Sequence, residues 1–359
     1  MAVNNKLYAW GSNEKKAVNE SEDAFVTSPY EITYFKDNDI TIKDVIAGFN
    51  NSYILTEGGE VYSWGFNNNR QLGHGKGTFS SPKKVESLSG VNIVDVQTQY
   101  YGVIMRTSDN ELIGFGRDVN GELGSGVSGI HGDFVKVAIP NGVTVLDYSA
   151  GMYHGMFLST DNDLYVWGYN GDGQLGLGDL DRRLTPVKNE LASVYSIRTI
   201  SSSVYSSSSI ITEDNSVYNW GLNGYTKLGF GDWETVNVPK KMKDSPINNA
   251  RITNISVGKY HTFLEDEEGR IYGVGSNEYG EMGFTTGTVV KLNNLNKLSL
   301  QLGTEKYILN NDLLTFNIDI KKIMKVYNYY LDEDYSTIID ISGYQVTSDL
   351  DIYIKWIWI

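Results

Sequence analysis

The sequence predicts an all-β repeat protein, a ring of small antiparallel sheets, on three observations. The first is a phrase that returns at near-constant spacing: Leu7-Tyr8-Ala9-Trp10-Gly11, Val61-Tyr62-Ser63-Trp64-Gly65, Leu164-Tyr165-Val166-Trp167-Gly168 and Val217-Tyr218-Asn219-Trp220-Gly221. Weaker copies stand at Leu112-Ile113-Gly114-Phe115-Gly116 and Ile271-Tyr272-Gly273-Val274-Gly275. Their closing glycines, at 11, 65, 116, 168, 221 and 275, are separated by 54, 51, 52, 53 and 54 residues, a period that marks a repeat architecture. The second observation is strand-like alternation between the phrases, with no helical periodicity. The third is the turn chemistry that bounds each short run.

The repeat around residue 160 shows how each element is specified. Val143 to Tyr148 alternates apolar and polar residues, as a half-buried strand does. After Gly151-Met152-Tyr153-His154 comes a second strand, Met156-Phe157-Leu158. Asp161-Asn162-Asp163 is a turn, because Asp and Asn bond their own backbone and tolerate left-handed φ. Leu164 to Trp167 is the third strand, and the glycine-rich run from Gly168 to Gly178 permits tight backbone approach. Pro186-Val187 opens a further strand segment. Three to four strands per repeat make one blade. A blade cannot bury both faces alone, so blades stack radially and close; an open solenoid would leave two apolar ends exposed.

This grammar resembles the regulator-of-chromosome-condensation repeat family. The matching pieces are the Gly-x-x-His turn at Gly151 to His154, the apolar-Tyr-x-Trp-Gly strand at Leu164 to Gly168, and the Asn-x-x-Gly-Gln-Leu-Gly-x-Gly loop at Asn170 to Gly178. Partial copies of the loop stand at Asn67 to Gly75, Asn120 to Gly126 and Asn277 to Gly283. The resemblance implies a seven-bladed β-propeller of antiparallel sheets.

A single propeller domain is therefore expected over 1–359, with clear repeats over 1–285 and degenerate ones over 286–359 that close the ring. Lys306 to Phe316 reads as a worn turn with its strands, and Tyr344 to Trp356 resembles Tyr53 to Trp64. Taking Phe316 and Trp356 as the equivalents of Trp64, the last two steps shrink to 42 and 40 residues. Eight key strands and seven intervals fit seven blades, with Leu7 to Trp10 pairing with strands from the C-terminus. Six blades, or an added C-terminal module, is the alternative.

Composition excludes several function classes. With 40% hydrophobic residues, 25 Tyr and 7 Trp, the chain can bury a large core. A net charge of −14 argues against nucleic-acid binding, which needs clustered Lys and Arg. The absence of cysteine removes disulfides and thiolate metal sites. No apolar run approaches the roughly 18 residues of a membrane span, and Met1 to Lys6 shows no signal-peptide pattern. The expected location is the cytoplasm. Abundant Asn, Lys, Ile and Tyr point to an AT-rich genome, microbial or viral, and a viral source would place the protein in a virion.

No catalytic residue, metal site or cofactor is expected. Neither a phosphate loop nor a Gly-x-Ser-x-Gly elbow is present. Asp161-Asn162-Asp163 and Asp179-Leu180-Asp181 lack the continuation of a calcium loop. Trp10, Trp64, Trp167 and Trp220 read as packing, since a residue every blade needs is structural. His154 and His261 share one repeat position, held by Asn51, Gly102 and Ser207 in other blades, and are expected to bond neighbouring backbone. His74 and His131 lie in unrelated loops. The serine run Ser201 to Ser209, interrupted by Val204-Tyr205, is read as a degenerate repeat rather than a linker. Acidic stretches Glu265 to Glu268 and Asp332 to Asp334 occupy turns.

One set of positions varies from blade to blade. The two residues before the histidine position read Phe49-Asn50, Tyr100-Tyr101, Met152-Tyr153, Tyr205-Ser206 and Lys259-Tyr260. Equivalent loops share one face, so Phe49, Tyr100, Tyr101, Tyr153 and Tyr260 form the candidate partner-binding site, because tyrosine offers contact area and a polar tip at low entropic cost. The alternative role for these rings is packing against the next blade. The expected function is a non-enzymatic binding propeller for a protein partner, a virion or tail component if the genome is viral. A glycan-binding propeller and a guanine-nucleotide exchange factor for a small GTPase are the alternatives.

Overall fold

The structure is a computed structural model of the chain. It describes residues 2–3, 6–203, 205–243 and 250–276, and the backbone of four strands beyond them. An N-terminal sheet comprises β1 (Ala2–Val3), β2 (Lys6–Ser12) and β3 (Phe25–Ile32). The first blade is β4 (Ile42–Ala47), β5 (Asn51–Thr56), β6 (Val61–Gly65) and β7 (Phe79–Lys84). The second is β8 (Ile93–Thr98), β9 (Gly102–Thr107), β10 (Leu112–Arg117) and β11 (Ile130–Lys136). The third is β12 (Val145–Ala150), β13 (His154–Ser159), β14 (Leu164–Gly168) and β15 (Arg183–Lys188). The fourth is β16 (Ile197–Ser202), β17 (Ser207–Thr212), β18 (Val217–Gly221) and β19 (Val236–Lys241). The fifth carries β20 (Ile252–Val257), β21 (His261–Asp266) and β22 (Ile271–Gly275). All neighbours within a blade are antiparallel.

The all-β propeller is as expected, but the blade count is corrected: the described residues form five blades, not seven. Five sheets open on an inner strand, β4, β8, β12, β16 and β20, whereas the N-terminal sheet begins one strand later. Past the fifth blade, β23 (Lys297–Leu302) pairs with β24 (Glu305–Asn310), and β25 (Val326–Tyr330) with β26 (Tyr353–Trp356), each a two-stranded sheet among the described residues. The sequence spacing changes at the same point. Past Val274 the step contracts from above 50 residues to 42 and 40, and no glycine-rich loop accompanies Phe316 or Trp356. The key strand β2 pairs with β1 and β3, both from its own end of the chain. The remainder of 286–359, including Phe316, lies outside the described residues.

The core sits between blades. In the first two blades, Tyr53, Leu55 and Val61 pack with Val103, Met105 and Phe115, while Ile104 turns the other way to meet Tyr148, Phe157 and Trp167 of the third. The second strand of a blade is thus covered on both faces, and every residue of β13 is buried. Such a strand reads as a continuous apolar run. The outer strands carry Pro29, Pro82, Pro186 and Pro239 in β3, β7, β15 and β19. Proline is tolerated there because an edge strand needs no outward N–H partner, and it blunts pairing with other chains.

The repeated phrase makes the joints between blades. Trp167 is fully buried, and its Nε1 donates to the Glu122 carbonyl of the preceding blade at 3.1 Å. Trp220 does the same to Gln174 at 2.8 Å, and Trp64 to Ala17 at 2.9 Å. Gly176 lies under the Trp220 indole at φ +67, where a Cβ would come within 2.7 Å of Nε1. Asn170 closes the loop between these parts: its Oδ1 accepts from Leu175 N–H at 2.9 Å and its Nδ2 donates to Asp179 O at 3.0 Å. Asn67 and Asn223 repeat the first bond, to Leu72 and Leu228. In the second blade Asp118 takes this place, accepting from Leu123 N–H and the Ser125 hydroxyl.

His154 is structural, and it has a side-chain partner as well as neighbouring backbone. His154 Nε2 meets the Ser208 hydroxyl of the next blade at 2.9 Å, and Ser208 Oγ donates to the Gln174 carbonyl at 2.8 Å. Burial depresses the His154 pKa to about 3, so it is neutral. Of the serine run, Ser201 and Ser202 end β16 and Ser207 to Ser209 open β17, and hydroxyls of both strands serve these joints.

Candidate functional site

Loops joining the first and second strands of each blade emerge at one end of the propeller, together with the long glycine-rich loops after the third strands; tight turns occupy the other end. The aromatic loops are held by backbone. The residue after each repeat glycine donates its N–H to the loop of its own blade: Phe66 to Asn50 O, Arg117 to Tyr101 O, Tyr169 to Tyr153 O, Leu222 to Ser206 O and Ser276 to Tyr260 O, at 2.7–3.0 Å. This contact needs the glycine. At Gly168, φ is +102 and a Cβ would lie 2.5 Å from the Tyr153 carbonyl. Successive loops are then tied across blades: Tyr100 N–H to Met152 O, Met152 N–H to Ser203 O, and Ser203 Oγ to Gly258 O.

On this frame the rings gather into two arcs. Phe49 and Tyr100 have centroids 4.0 Å apart, Tyr100 and Tyr101 4.3 Å, Tyr100 and Tyr153 5.9 Å, and Tyr153 and Tyr169 6.4 Å. In the second arc Tyr205 and Tyr260 are 6.3 Å apart, Tyr260 and Tyr225 4.7 Å, and Tyr225 and Trp233 5.8 Å. Four of the five sequence candidates, Phe49, Tyr100, Tyr101 and Tyr153, therefore meet in the first arc, and Tyr260 belongs to the second. Both roles weighed for these rings coexist. They touch rings of the neighbouring blade yet stay partly open, with Phe49 48% and Trp233 68% exposed. Burial, then the hydrogen bond with Tyr101, pushes the Tyr100 pKa up to about 12, so its hydroxyl stays protonated.

Cations lie against the rings. The Arg117 guanidinium is 5.6 Å from the Tyr153 centroid and pairs with Glu122 at 2.8 Å. Lys259 Nζ stands 5.4 Å from Tyr205 and 4.7 Å from Tyr260. Lys227, wholly buried, lies 5.8 Å from Tyr205 and donates to the carbonyls of Tyr205 at 2.8 Å and Lys259 at 3.2 Å. It stands where other loops carry Gln71, Glu122 and Gln174. Burial lowers its pKa to about 7, which the charge of Asp172 only partly opposes.

Sequence reasoning missed Tyr169, Arg117, Tyr225 and Trp233 and left Tyr205, Lys259 and Lys227 unused. Tyr205 and Lys259 share the repeat position of the candidates, and Arg117 and Tyr169 each follow a repeat glycine, so those four were findable by alignment. Tyr225 and Trp233 sit where the repeat carries no aromatic signal. Among the described residues, no group of three His, Asp or Glu is placed to hold a metal ion, and no helix is long and apolar enough to cross a membrane.

Family models add to this geometry. A model of the regulator of chromosome condensation (RCC1) repeat matches residues 58–98, 161–210 and 214–264, and a second model of that repeat matches 42–71, 147–174 and 252–281. The chain belongs to the RCC1 repeat family. Among RCC1-repeat proteins it is 28% identical over 277 residues to the ultraviolet-B receptor UVR8 of Arabidopsis thaliana, covering 77% of this chain and 62% of that protein. It is 27% identical over 297 residues to the E3 ubiquitin-protein ligase HERC2 of Homo sapiens, covering 81% of this chain and 6% of HERC2. The chain thus spans less than two thirds of these relatives. In fold it is similar to Prp20p of Saccharomyces cerevisiae, with a TM-score of 0.68 at 22% identity, covering 80% of this chain and 74% of that one. Human WBSCR16 gives 0.68 at 17% identity, covering 86% of each. Prp20p was described with its binding to Gsp1p and histones, and yeast RCC1 (Prp20) has been seen with Kap60.

Proposed function

We propose that this RCC1-repeat chain is a non-enzymatic binding module that engages a protein partner through its aromatic loop face. The observation that carries the reading is the pinned aromatic arc of Phe49, Tyr100, Tyr101 and Tyr153. Its rings are half-open to solvent on a backbone frame that loses little freedom when a partner arrives, and affinity follows such preorganisation. Structural relatives described with protein partners support the same class of role. The binding of Gsp1p is a property of Prp20p, and likeness at 22% identity carries its fold and nothing narrower. A virion component and a glycan reader draw no support from the relatives.

The test is a tagged pull-down from the native source beside a variant with Tyr100, Tyr101, Tyr153 and Tyr260 changed to Ala. Buried hot-spot rings cost about 2 kcal/mol or more each on truncation, so a stoichiometric partner of the wild type should vanish from the variant while its circular dichroism is unchanged. Equal recovery of every partner from both proteins would refute the assignment of this face.

A further inference from the structure

The two ends of the propeller differ in charge. The chain carries 44 carboxylates, yet the first loops of the five blades, 48–50, 99–101, 151–153, 203–206 and 258–260, contain none. The turns at the opposite end, 57–60, 108–111, 160–163, 213–216 and 267–270, contain two each. There Lys84, Lys136, Lys188, Arg251 and Arg270 offset Glu60, Glu111, Asp163, Glu267 and Glu268, half of those carboxylates. On the aromatic face Lys259 is exposed beside Tyr205 and Tyr260, and Arg117 is half-buried beside Tyr153. Several carboxylates on the outer loops of that face are engaged: Glu122 with Arg117, Asp179 with Arg183 at 2.7 Å, Glu234 with Lys240 at 3.0 Å, and Glu22 with Lys16 at 3.0 Å, while Glu14, Glu20 and Asp23 are exposed on the loop after β2. Asp172 and Asp181 stand further out, on the glycine-rich loop of the third blade.

We infer that the aromatic face receives an acidic peptide segment of the partner, its carboxylates set against Lys259 and Arg117 and its apolar atoms on the tyrosine rings. This rests on the protein-binding role proposed above and names the chemistry of the occupant. A carboxylate arriving here meets no like charge on the inner loops and finds the exposed Lys259 ammonium against two π-faces, which leave N–H groups able to donate, with Arg117, already paired to Glu122, against the Tyr153 ring. A basic segment would meet Lys259 and Arg117 head-on and be drawn to the opposite end. Polynucleotide is disfavoured by charge: it brings a charge with every nucleotide and needs a continuous cationic track, and on a chain of net −14 the accessible cations of this end, Arg70, Lys76, Arg117, Arg182 and Lys259, are spread over separate loops.

The experiment selects random short peptides displayed on phage against the immobilised full chain, in parallel with Lys259→Glu and with a Tyr100→Ala/Tyr260→Ala variant. Thermal melts confirm that all three are folded. The strongest binders are then synthesised and titrated by fluorescence anisotropy over a range of salt, with oligo-dT as the polynucleotide probe. The expected result is enrichment in Asp and Glu, binding that weakens with salt, and a loss of about tenfold in Lys259→Glu, as reversal of an interface charge produces. Peptides without acidic excess, lost in the tyrosine variant but indifferent to Lys259→Glu, would overturn the acidic occupant and leave the binding face standing. Capture that depends on neither variant would overturn both readings. Oligo-dT binding tighter than any peptide and lost in Lys259→Glu would replace the peptide with nucleic acid.

Discussion

Replacing Lys227 by Gln, the residue that Gln71 and Gln174 place at the same repeat position, should change how stability depends on pH. The ammonium is buried without a carboxylate in contact, and its pKa falls from 10.5 to about 7. Between those two values the unfolded chain holds a proton that the folded chain has shed. Stability therefore rises with pH across that window, and is lowest below about 7, where folding must bury the charge. The slope in mid-window is about 1.4 kcal/mol per pH unit for one such group. From pH 7.5 to 9 wild type should gain roughly 2 kcal/mol that Lys227→Gln does not. Urea unfolding followed by tryptophan fluorescence at both pH values gives the difference between the two proteins, in which all other titrating groups cancel. The variant loses the bonds to the Tyr205 and Lys259 carbonyls, but that cost is the same at every pH. A difference that stays constant from pH 7.5 to 9 would refute the reasoning and show that the carbonyl dipoles hold the ammonium charged throughout.

Three further outcomes follow from the joints between blades. Gly168→Ala should destabilise the protein by more than about 2 kcal/mol, since it combines positive φ with a backbone clash; a melting temperature equal to wild type would contradict this. Trp167→Phe keeps the ring in its pocket but leaves the Glu122 carbonyl without its indole donor, for a loss of about 1 kcal/mol in chemical denaturation. Ser208→Ala strips the partner from His154 Nε2 and should cost about 1–3 kcal/mol. In that variant the ring should remain neutral down to low pH, readable from its imidazole NMR shifts.

Legibility in the sequence differed from element to element. The strand from Leu164 to Gly168, the turn at Asp161 to Asp163 and the loop from Asn170 to Gly178 were readable, because each is set by local sterics and short-range hydrogen bonds. The structural role of the tryptophans was readable from their repetition, although their indole bonds to the preceding blade were not. For His154 the bond to the hydroxyl of Ser208, 54 residues away, was not readable, because no local pattern signals it. The candidate ring was half legible. Repeat alignment put Phe49, Tyr100, Tyr101 and Tyr153 on one face, but Tyr225 and Trp233 join Tyr260 through a loop conformation particular to the fourth blade, in which Tyr225 adopts φ +59.

By itself the sequence determined the repeat, the order of strands within a blade, the turn chemistry and the face on which the variable aromatics lie. These follow from a side-chain period of two and from backbone preferences that act over a few residues. Only the tertiary structure decided that there are five blades rather than seven, that the rings divide into two arcs, and that Lys227 is buried under a pair of carbonyls. Those features depend on contacts between segments distant in the sequence, where the relation of one blade or loop to the next settles which groups meet and what water remains beside them.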